Sequence, residues 1–402
     1  MIPRLRVMGA GTATRYHRGM GPLAGSKILE FEAVGPGPFC AMMLADMGAD
    51  VLVIDRPNEP QLGVGIERQF DVMMRGRRSV TADLKTDGGI AAATLLASKA
   101  DALVEGFRPG VMERLGLGPD ALLAINPRLV YGRMTGWGQD GPMAPRAGHD
   151  INYIALSGVL HAIGRTGGAP VPPLNLVGDF GGGGMLLAFG VTCALLEAHK
   201  SGRGQVVDAA MVDGAATLAT MFFGMIAAGR WTEARGENML DSGAPWYDTY
   251  ETSDGKYVAI GAIEPRFYEQ LLAKLDLKNH GGLPSQHDRS GWPALRRAFA
   301  GAISTKTRDE WCRIFDDADA CFAPVLTFSE ARAHPHAVAR GTFTRVGRVD
   351  QPAPAPRFSR TPGGIRGAPP ERGEGGAEAL ADWGFSPSDI RQLESLGLGI
   401  AR

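Results

Sequence analysis

The sequence predicts an α/β protein, with a large domain built on a parallel sheet and a smaller α+β domain after it. Three observations predict this. Short apolar runs alternate with helical stretches from residue 27 to residue 133. The second of those runs ends on an acid, Asp55, as in a dinucleotide-binding βαβ unit. Beyond residue 225 the composition shifts, and two short strands flank Ser253-Asp254-Gly255, a hairpin turn.

Residues 27–32 read as a buried strand. Gly35-Pro36-Gly37-Pro38 is a turn, with Pro38 suited to the first helical position, and residues 39–47 form a helix stopped by Gly48. The second strand, 50–54, runs into Asp55-Arg56-Pro57. No GxGxxG follows the first strand, which argues against a nicotinamide site. Residues 80–84, 102–105 and 129–133 are further strands, with helices at 88–99 and 111–115. A methionine-rich helix covers 211–225, and 235–241 is polar and loop-like. Strands at 245–251 and 256–262, then helices at 267–274, 292–303 and 308–315, make the small domain. Residues 350–376 are rich in Pro, Gly and Arg and read as an extended linker. An amphipathic helix at 387–396 closes the chain. The division expected is a disordered extension at 1–19, a large domain at 20–225, a linker at 226–247, a small domain at 248–335, a second linker at 336–376 and a final segment at 377–402.

A chain of 402 residues has room for two or three cores, and 44% hydrophobic with 21% charged residues is ordinary for a globular protein. The net charge of −1 gives no electrostatic case for nucleic acid or an anionic membrane. No stretch reads as long and apolar enough to span a bilayer. The four cysteines form no CxxC pair, and His334 and His336 lack a metal-site frame, so no metal is expected. Free thiols fit a reducing, cytoplasmic setting. The first nineteen residues carry Arg4, Arg6, Arg15 and Arg18 and no acid, which also fits a mitochondrial presequence.

The chemistry-bearing features are a histidine and an aspartate thirty residues apart. His149 lies in Gly148-His149-Asp150-Ile151-Asn152-Tyr153, and Asp150 reads as the N-cap of a helix with Ile151, Ile154, Ala155, Val159 and Leu160 at helical spacing. Asp179 precedes Phe180 and four glycines, which open a second apolar stretch running to Gly202. Both helices would pack on the sheet. Helix starts carry free N–H groups that hold anions, and glycines let a ligand approach the backbone. A base and a carboxyl group beside such an anion make a proton-transfer site. Taken singly, an aspartate before a helix is most often a cap and a lone histidine a structural residue. Met185, Met211, Met221, Met225 and Met239 read either as core packing or as a pliable acyl-binding surface.

Several long motifs, in order, carry a resemblance. They are Gly35-Pro36-Gly37-Pro38-Phe39-Cys40-Ala41-Met42, the run from Gly148 to Tyr153, Asn238-Met239-Leu240-Asp241, Gly261-Ala262-Ile263-Glu264-Pro265, Cys321-Phe322-Ala323-Pro324-Val325 and Trp383-Gly384-Phe385-Ser386. Through them the chain resembles the acyl-CoA racemase branch of the family III CoA-transferase group (the CaiB/BaiF family), closely over residues 21–345 and more loosely beyond.

The resemblance implies epimerisation of the α-carbon of 2-methylacyl-CoA thioesters through an enolate, with no cofactor, since CoA is part of the substrate. His149 and Asp179 match the two catalytic bases, Glu264 an acid paired with the histidine, and Asp150 the group facing the thioester oxygen. Arg56, the stretch Ala82-Asp83-Leu84-Lys85, and Gly148, Ile151, Asn152 and Tyr153 match CoA-contacting positions. Arg108 and Arg114 suit phosphates by type and context. The resemblance further implies a Rossmann-like large domain to which the C-terminal segment returns, and an interlocked homodimer whose active sites are shared between chains. Two other readings stay open. One is a CoA transferase in which Asp179 attacks the thioester. The other is a non-catalytic CoA or nucleotide binder, which would need Arg56 and Lys85 but not His149 with Asp179.

Overall fold

The computed structural model describes residues 20–58, 65–278 and 282–401. The predicted extension at 1–19 lies outside them. The described chain separates into two compact units.

The first unit runs through Ala147, resumes over Asp179–Gly214 and ends with the segment from Phe343 onward. Its centre is a six-stranded sheet of β1 (Lys27–Phe31), β2 (Asp50–Asp55), β3 (Arg78–Thr81), β4 (Ala102–Glu105), β5 (Val130–Thr135) and β6 (Val206–Ala210). The strand order is β3-β2-β1-β4-β5-β6, and every pairing is parallel. This is the doubly wound order, whose direction reverses between β1 and β4. The inner strands are buried on both faces, so β1, β2 and β4 read as largely apolar runs rather than alternating ones. Leu29, Leu52, Leu103 and Tyr131 are fully buried with Leu96, Met112 and Leu122 from the covering helices.

The sequence reading omits β6. It is an edge strand of five residues interrupted by Asp208, with Val206 exposed and only Ala209 and Ala210 buried. The expected linker at 336–376 contains a helix, Pro335–Arg340, and a hairpin of strands Phe343–Val346 and Val349–Pro352. Arg75 secures that hairpin through Gln351 Oε1 at 2.7 Å and the Pro352 carbonyl at 2.9 Å. The C-terminal segment returns to the large sheet. Leu380, Trp383, Phe385, Leu393 and Leu398 join the core over β1–β5, Trp383 Nε1 donates to Asp50 Oδ2 at 3.1 Å, and Gly399 bridges to Thr81.

The second unit comprises Gly148–Gly178 and Ala215–Thr342. Strands Tyr247–Glu251, Tyr257–Gly261 and Phe322–Pro324 form an antiparallel sheet. Helices Pro265–Lys274, Trp292–Ile303 and Arg308–Phe315 supply Leu271, Leu295, Phe299 and Trp311 to its core. The Asn238–Asp241 motif folds on itself. Asp241 accepts from the N–H groups of Gly236, Asn238 and Gly243 at 2.9, 2.8 and 3.1 Å.

Sequence order assigned 148–178 to the large domain, whereas in the structure these residues group with the small sheet. The reason is a set of polar ties. Arg235 donates to the carbonyls of His161 and Gly168 at 2.6 and 2.5 Å, Thr166 donates to Gly236 O at 2.6 Å, and Arg165 donates to Thr249 Oγ1 at 2.9 Å and to Asp248.

One helical run, Leu176–Ser201, is long and apolar enough by length and composition to cross a membrane, contrary to the reading of the sequence. The glycines at 181–184 hide it in the sequence, because they read as a break. Its Leu186–Ser201 portion packs on β5 and β6, burying Leu187, Val191, Ala194 and Leu195 as a core helix does.

Candidate active site

In the first unit, candidate residues collect at the carboxyl ends of the parallel strands, where ligands of open α/β sheets bind. After β1 the chain turns at Gly35, with φ 68°, into a helix over Pro36–Asp46. The helix begins two residues before the position read from Pro38, because Pro36 also fits a first turn. Pro36 and Pro38 have no N–H, so Gly37 carries the one backbone donor among the first three helical residues. The half-buried Asp179 aims its carboxylate at this helix start: a Cβ built on Gly35 would lie 3.4 Å from Asp179 Oδ2. A glycine here serves both the positive φ and the close approach.

Asp179 is not a helix cap, as the sequence suggested. Residues Leu176–Met185 already form a wide-turn π-helix that continues into Leu186–Ser201, and Asp179 sits in its first turn. Close backbone packing around this run excludes a side chain at Gly184 and at Gly214. A Cβ on Gly184 would lie 2.5 Å from the Pro36 carbonyl, and one on Gly214 would lie 1.8 Å from that of Gly182. Phe180 packs on Phe39 with ring centroids 4.8 Å apart. Widened helical turns of this kind concentrate at functional sites.

Arg56 follows β2. Its N–H donates to Glu32 Oε2 at 2.7 Å, while its half-exposed guanidinium stands 3.7 Å from the same carboxylate. Beyond β3, Ala82 is buried and donates to the Asp55 carbonyl at 3.0 Å. Asp83 Oδ1 accepts from the Lys85 N–H at 3.0 Å, Leu84 packs on the core, and the Lys85 side chain is exposed. Arg108 and Arg114 are exposed beyond β4, Arg114 close to Gly110. Of the methionines, Met211 is core, whereas Met185 and Met221 are exposed.

The second unit carries the remaining candidates. His149, not Asp150, is the N-cap of the helix Asp150–Leu156. It is extended at φ −134°, and its N–H donates to Asn152 Oδ1 at 3.0 Å, so Asn152 closes the cap from the third helical position. Tyr153 is buried and its hydroxyl donates to the Gly148 carbonyl. Asn152 and Tyr153 thus hold the loop that presents the exposed His149 and Ile151. Asp150 is 5% exposed, and Oδ2 would lie 2.5 Å from a Cβ on Gly178. Glu264 is exposed at the N-cap of Pro265–Lys274. Burial and the nearby Glu264 and Asp319 carboxylates push the Cys321 thiol up. The loop before Glu264 hangs on Gln286, whose amide donates to the carbonyls of Ala262 and Ile263 at 3.0 and 2.9 Å. The Gln286 carbonyl in turn accepts from Trp246 and Trp292 Nε1, each at 3.0 Å.

Asp179, Arg56, the Ala82–Lys85 stretch, Arg108 and Arg114 therefore share the first unit. His149 through Tyr153 and Glu264 share the second. Among the described residues no group of His, Cys, Asp and Glu could hold a metal ion. Sequence reasoning did not single out Gly178, Glu32 or Gln286, which contact Asp150, Arg56 and the loop before Glu264. Only Gly178 had a local signal, as part of the glycine-rich run.

The comparisons with known proteins agree on one family. The model of CoA-transferase family III matches residues 23–375. The chain is 47% identical over 376 residues to the alpha-methylacyl-CoA racemase of Mus musculus, covering 93% of this chain and 96% of that one. It is 46% identical over 377 residues to the alpha-methylacyl-CoA racemase of Homo sapiens, with the same coverage of 93% and 96%. Among solved structures, a CaiB/BaiF family protein from Brucella suis superposes with a TM-score of 0.78 at 26% identity, over 91% of this chain and all of that one.

Proposed function

The chain belongs to CoA-transferase family III, and we propose that it works as a racemase that epimerises the α-carbon of 2-methylacyl-CoA thioesters. The observation that carries this reading is identity of 47% to a racemase over 93% of the chain. In this reading the residues that carry the chemistry are His149, Asp179, Glu264 and Asp150.

Inversion at a CH centre requires a proton to leave one face and another to arrive on the opposite face. In this reading His149 and Asp179 are the two groups. One starts as base and removes the α-proton, leaving its electron pair in the enolate; the other delivers a proton to the opposite face. For the other epimer the roles exchange. The enolate oxygen needs donors, and one such donor is typically worth about 2.7–4 kcal/mol of barrier. The helix start at Asp150 supplies a backbone N–H for this. Glu264 pairs with His149 and steadies its charge. Arg56, half-exposed at the carboxyl end of β2, and Lys85, exposed beyond β3, suit the phosphates of CoA, and binding of that remote nucleotide positions the reacting carbon.

The active unit in this reading is a homodimer. Its support is the helix Thr220–Ala227, which is apolar after Thr220 and has no fully buried residue. Met221 and Phe223 are 53% and 60% exposed, and a face of this kind calls for a partner.

Incubating one epimer of a 2-methylacyl-CoA with the enzyme tests the assignment. Both epimers should form with the thioester intact. Transfer of CoA to an added carboxylic acid, with an enzyme-bound acyl group trapped by hydroxylamine, would instead identify a transferase with Asp179 as nucleophile.

A further inference from the structure

We infer that Arg372, in the segment returning from the C-terminal side, is a positioning residue that keeps the Arg56 guanidinium available for a phosphate at the nucleotide end of the substrate. This inference rests on the reading of Arg56 as a CoA-contacting residue.

The observations lie at the carboxyl-end rim of the large sheet, just past β1 and β2. Glu32, just past β1, is the carboxylate on which two arginines compete. Arg372 holds it with a fork, Nη2 to Oε1 at 2.7 Å and Nη1 to Oε2 at 3.2 Å. Arg56 meets it through its backbone N–H at 2.7 Å, while its guanidinium stays at 3.7 Å. A forked arginine–carboxylate pair is the stronger arrangement, so Arg372 occupies the charge that would otherwise capture Arg56. Arg372 Nη1 also donates to the Arg56 carbonyl at 2.8 Å, which fixes the turn that carries Arg56.

The neighbouring acid is taken as well. Asp55 is fully buried, accepts from Arg68 Nη2 and Nη1 at 2.6 and 3.1 Å and from Ser79 Oγ at 2.5 Å, and lies 3.6 Å from Arg372. The cluster thus sets three guanidinium groups, on Arg56, Arg68 and Arg372, against two carboxylates, on Glu32 and Asp55. Formally one positive charge is left over, and Arg56 is the arginine least engaged. Its side chain is 39% exposed, against 15% for Arg68 and 20% for Arg372. An anion is the partner such a charge takes, and the carboxyl end of a parallel sheet is where a nucleotide phosphate binds.

The backbone around Arg372 is stitched to the same rim. Arg68 donates to the Pro370 carbonyl, the Gly373 N–H donates to Ser79 Oγ at 2.8 Å, and the Ser79 N–H donates to the Glu374 carbonyl at 2.8 Å. This stretch, a linker by composition, is a fixed wall of the phosphate rim, and Arg372 acts from it on Arg56.

The test compares an acyl-CoA with the matching acyl-pantetheine, which lacks the nucleotide, in the full-length enzyme. The ratio of their kcat/KM values reads the nucleotide contacts alone, so a general loss of folding or catalysis cancels. Arg372→Gln should lower this ratio about tenfold, mainly through KM for the CoA thioester. Arg372→Lys, which keeps the charge but cannot fork, should lower it less and serves where the glutamine variant folds poorly. Arg56→Ala should lower it too, and adding Arg372→Gln to it should change the ratio little further. If Arg56→Ala lowers the ratio and neither Arg372 variant does, Arg372 is not a positioning residue. If Arg372→Gln lowers both kcat/KM values equally, its role is structural only. If Arg56→Ala leaves the ratio unchanged, the assignment of Arg56 fails, and the inference with it.

Discussion

The carboxylate of Asp150 stands directly against the α-carbon of Gly178: a Cβ there would lie 2.5 Å from Oδ2 and 2.9 Å from Cγ. Asp150 is buried at the first helical position after His149, and Gly178 immediately precedes Asp179. The contact leaves no space for even one methyl group. Gly178→Ala should therefore displace the Asp150 carboxylate and the helix start that carries it. A cost of about 1–3 kcal/mol in stability is expected from overpacking, read by thermal or urea unfolding. Racemisation should fall by more than this loss of folded enzyme explains. Unchanged stability and activity would mean that the contact is not maintained in solution.

Gly35 holds φ 68° with the Asp179 carboxylate beside it. Gly35→Ala should cost about 1–3 kcal/mol from the positive-φ backbone alone. It should also lower turnover by crowding Asp179, with Asp179→Asn as the reference for loss of that base. A Gly35→Ala enzyme with wild-type midpoint and kcat would remove the role given to this approach.

The pH dependence of stability has a definite sign at Glu105. This buried residue accepts from Arg133 Nε at 2.9 Å and from the Phe107 N–H at 2.7 Å, yet burial outweighs both and pushes it up to about 7. The folded protein therefore binds this proton more tightly than the unfolded chain does. Its contribution is full below about pH 4.5 and is lost as pH rises towards 7, on the order of 3 kcal/mol in all. Unfolding free energy should fall across that window, and Glu105→Gln should flatten the fall. A slope of the opposite sign, or one unaffected by the substitution, would show that Arg133 dominates instead.

Much of the fold is legible in the sequence, for physical reasons that also explain what is not. Buried parallel strands announce themselves as apolar runs, so β1, β2 and β4 can be found, and the helices Trp292–Ile303 and Arg308–Phe315 fall where periodicity puts them. The edge strand β6 is a short run broken by Asp208. Glycines at 181–184 read as a break, because the backbone they pack against is remote in sequence. The same remoteness hides Arg372, which lies 340 residues from Glu32 and inside a Pro- and Gly-rich stretch. Motif resemblance put forward His149, Asp179 and Glu264 as candidates. It said nothing of Gln286 or Gly178, which act on those loops through backbone contacts.

The exposed helix Thr220–Ala227 predicts the oligomeric state. The protein should sediment as a dimer. Phe223→Lys, on that uncovered face, should shift it towards monomer with loss of activity. Co-expressed His149→Ala and Glu264→Gln chains should regain part of the activity if the active site is shared between chains. A wild-type monomer with full turnover would contradict the dimer.

The central claim is that His149 and Asp179 exchange the α-proton on opposite faces. The most direct measurement is α-proton exchange in deuterated water, starting separately from each epimer of one 2-methylacyl-CoA, with the wild-type enzyme, His149→Ala and Asp179→Asn. The wild type should incorporate deuterium and invert both epimers. Each variant should lose inversion by about 10²–10⁴-fold, and the two should retain exchange for opposite epimers, because each keeps a base on one face only. Exchange of the same epimer by both variants, or normal racemisation by either, would contradict the two-base account.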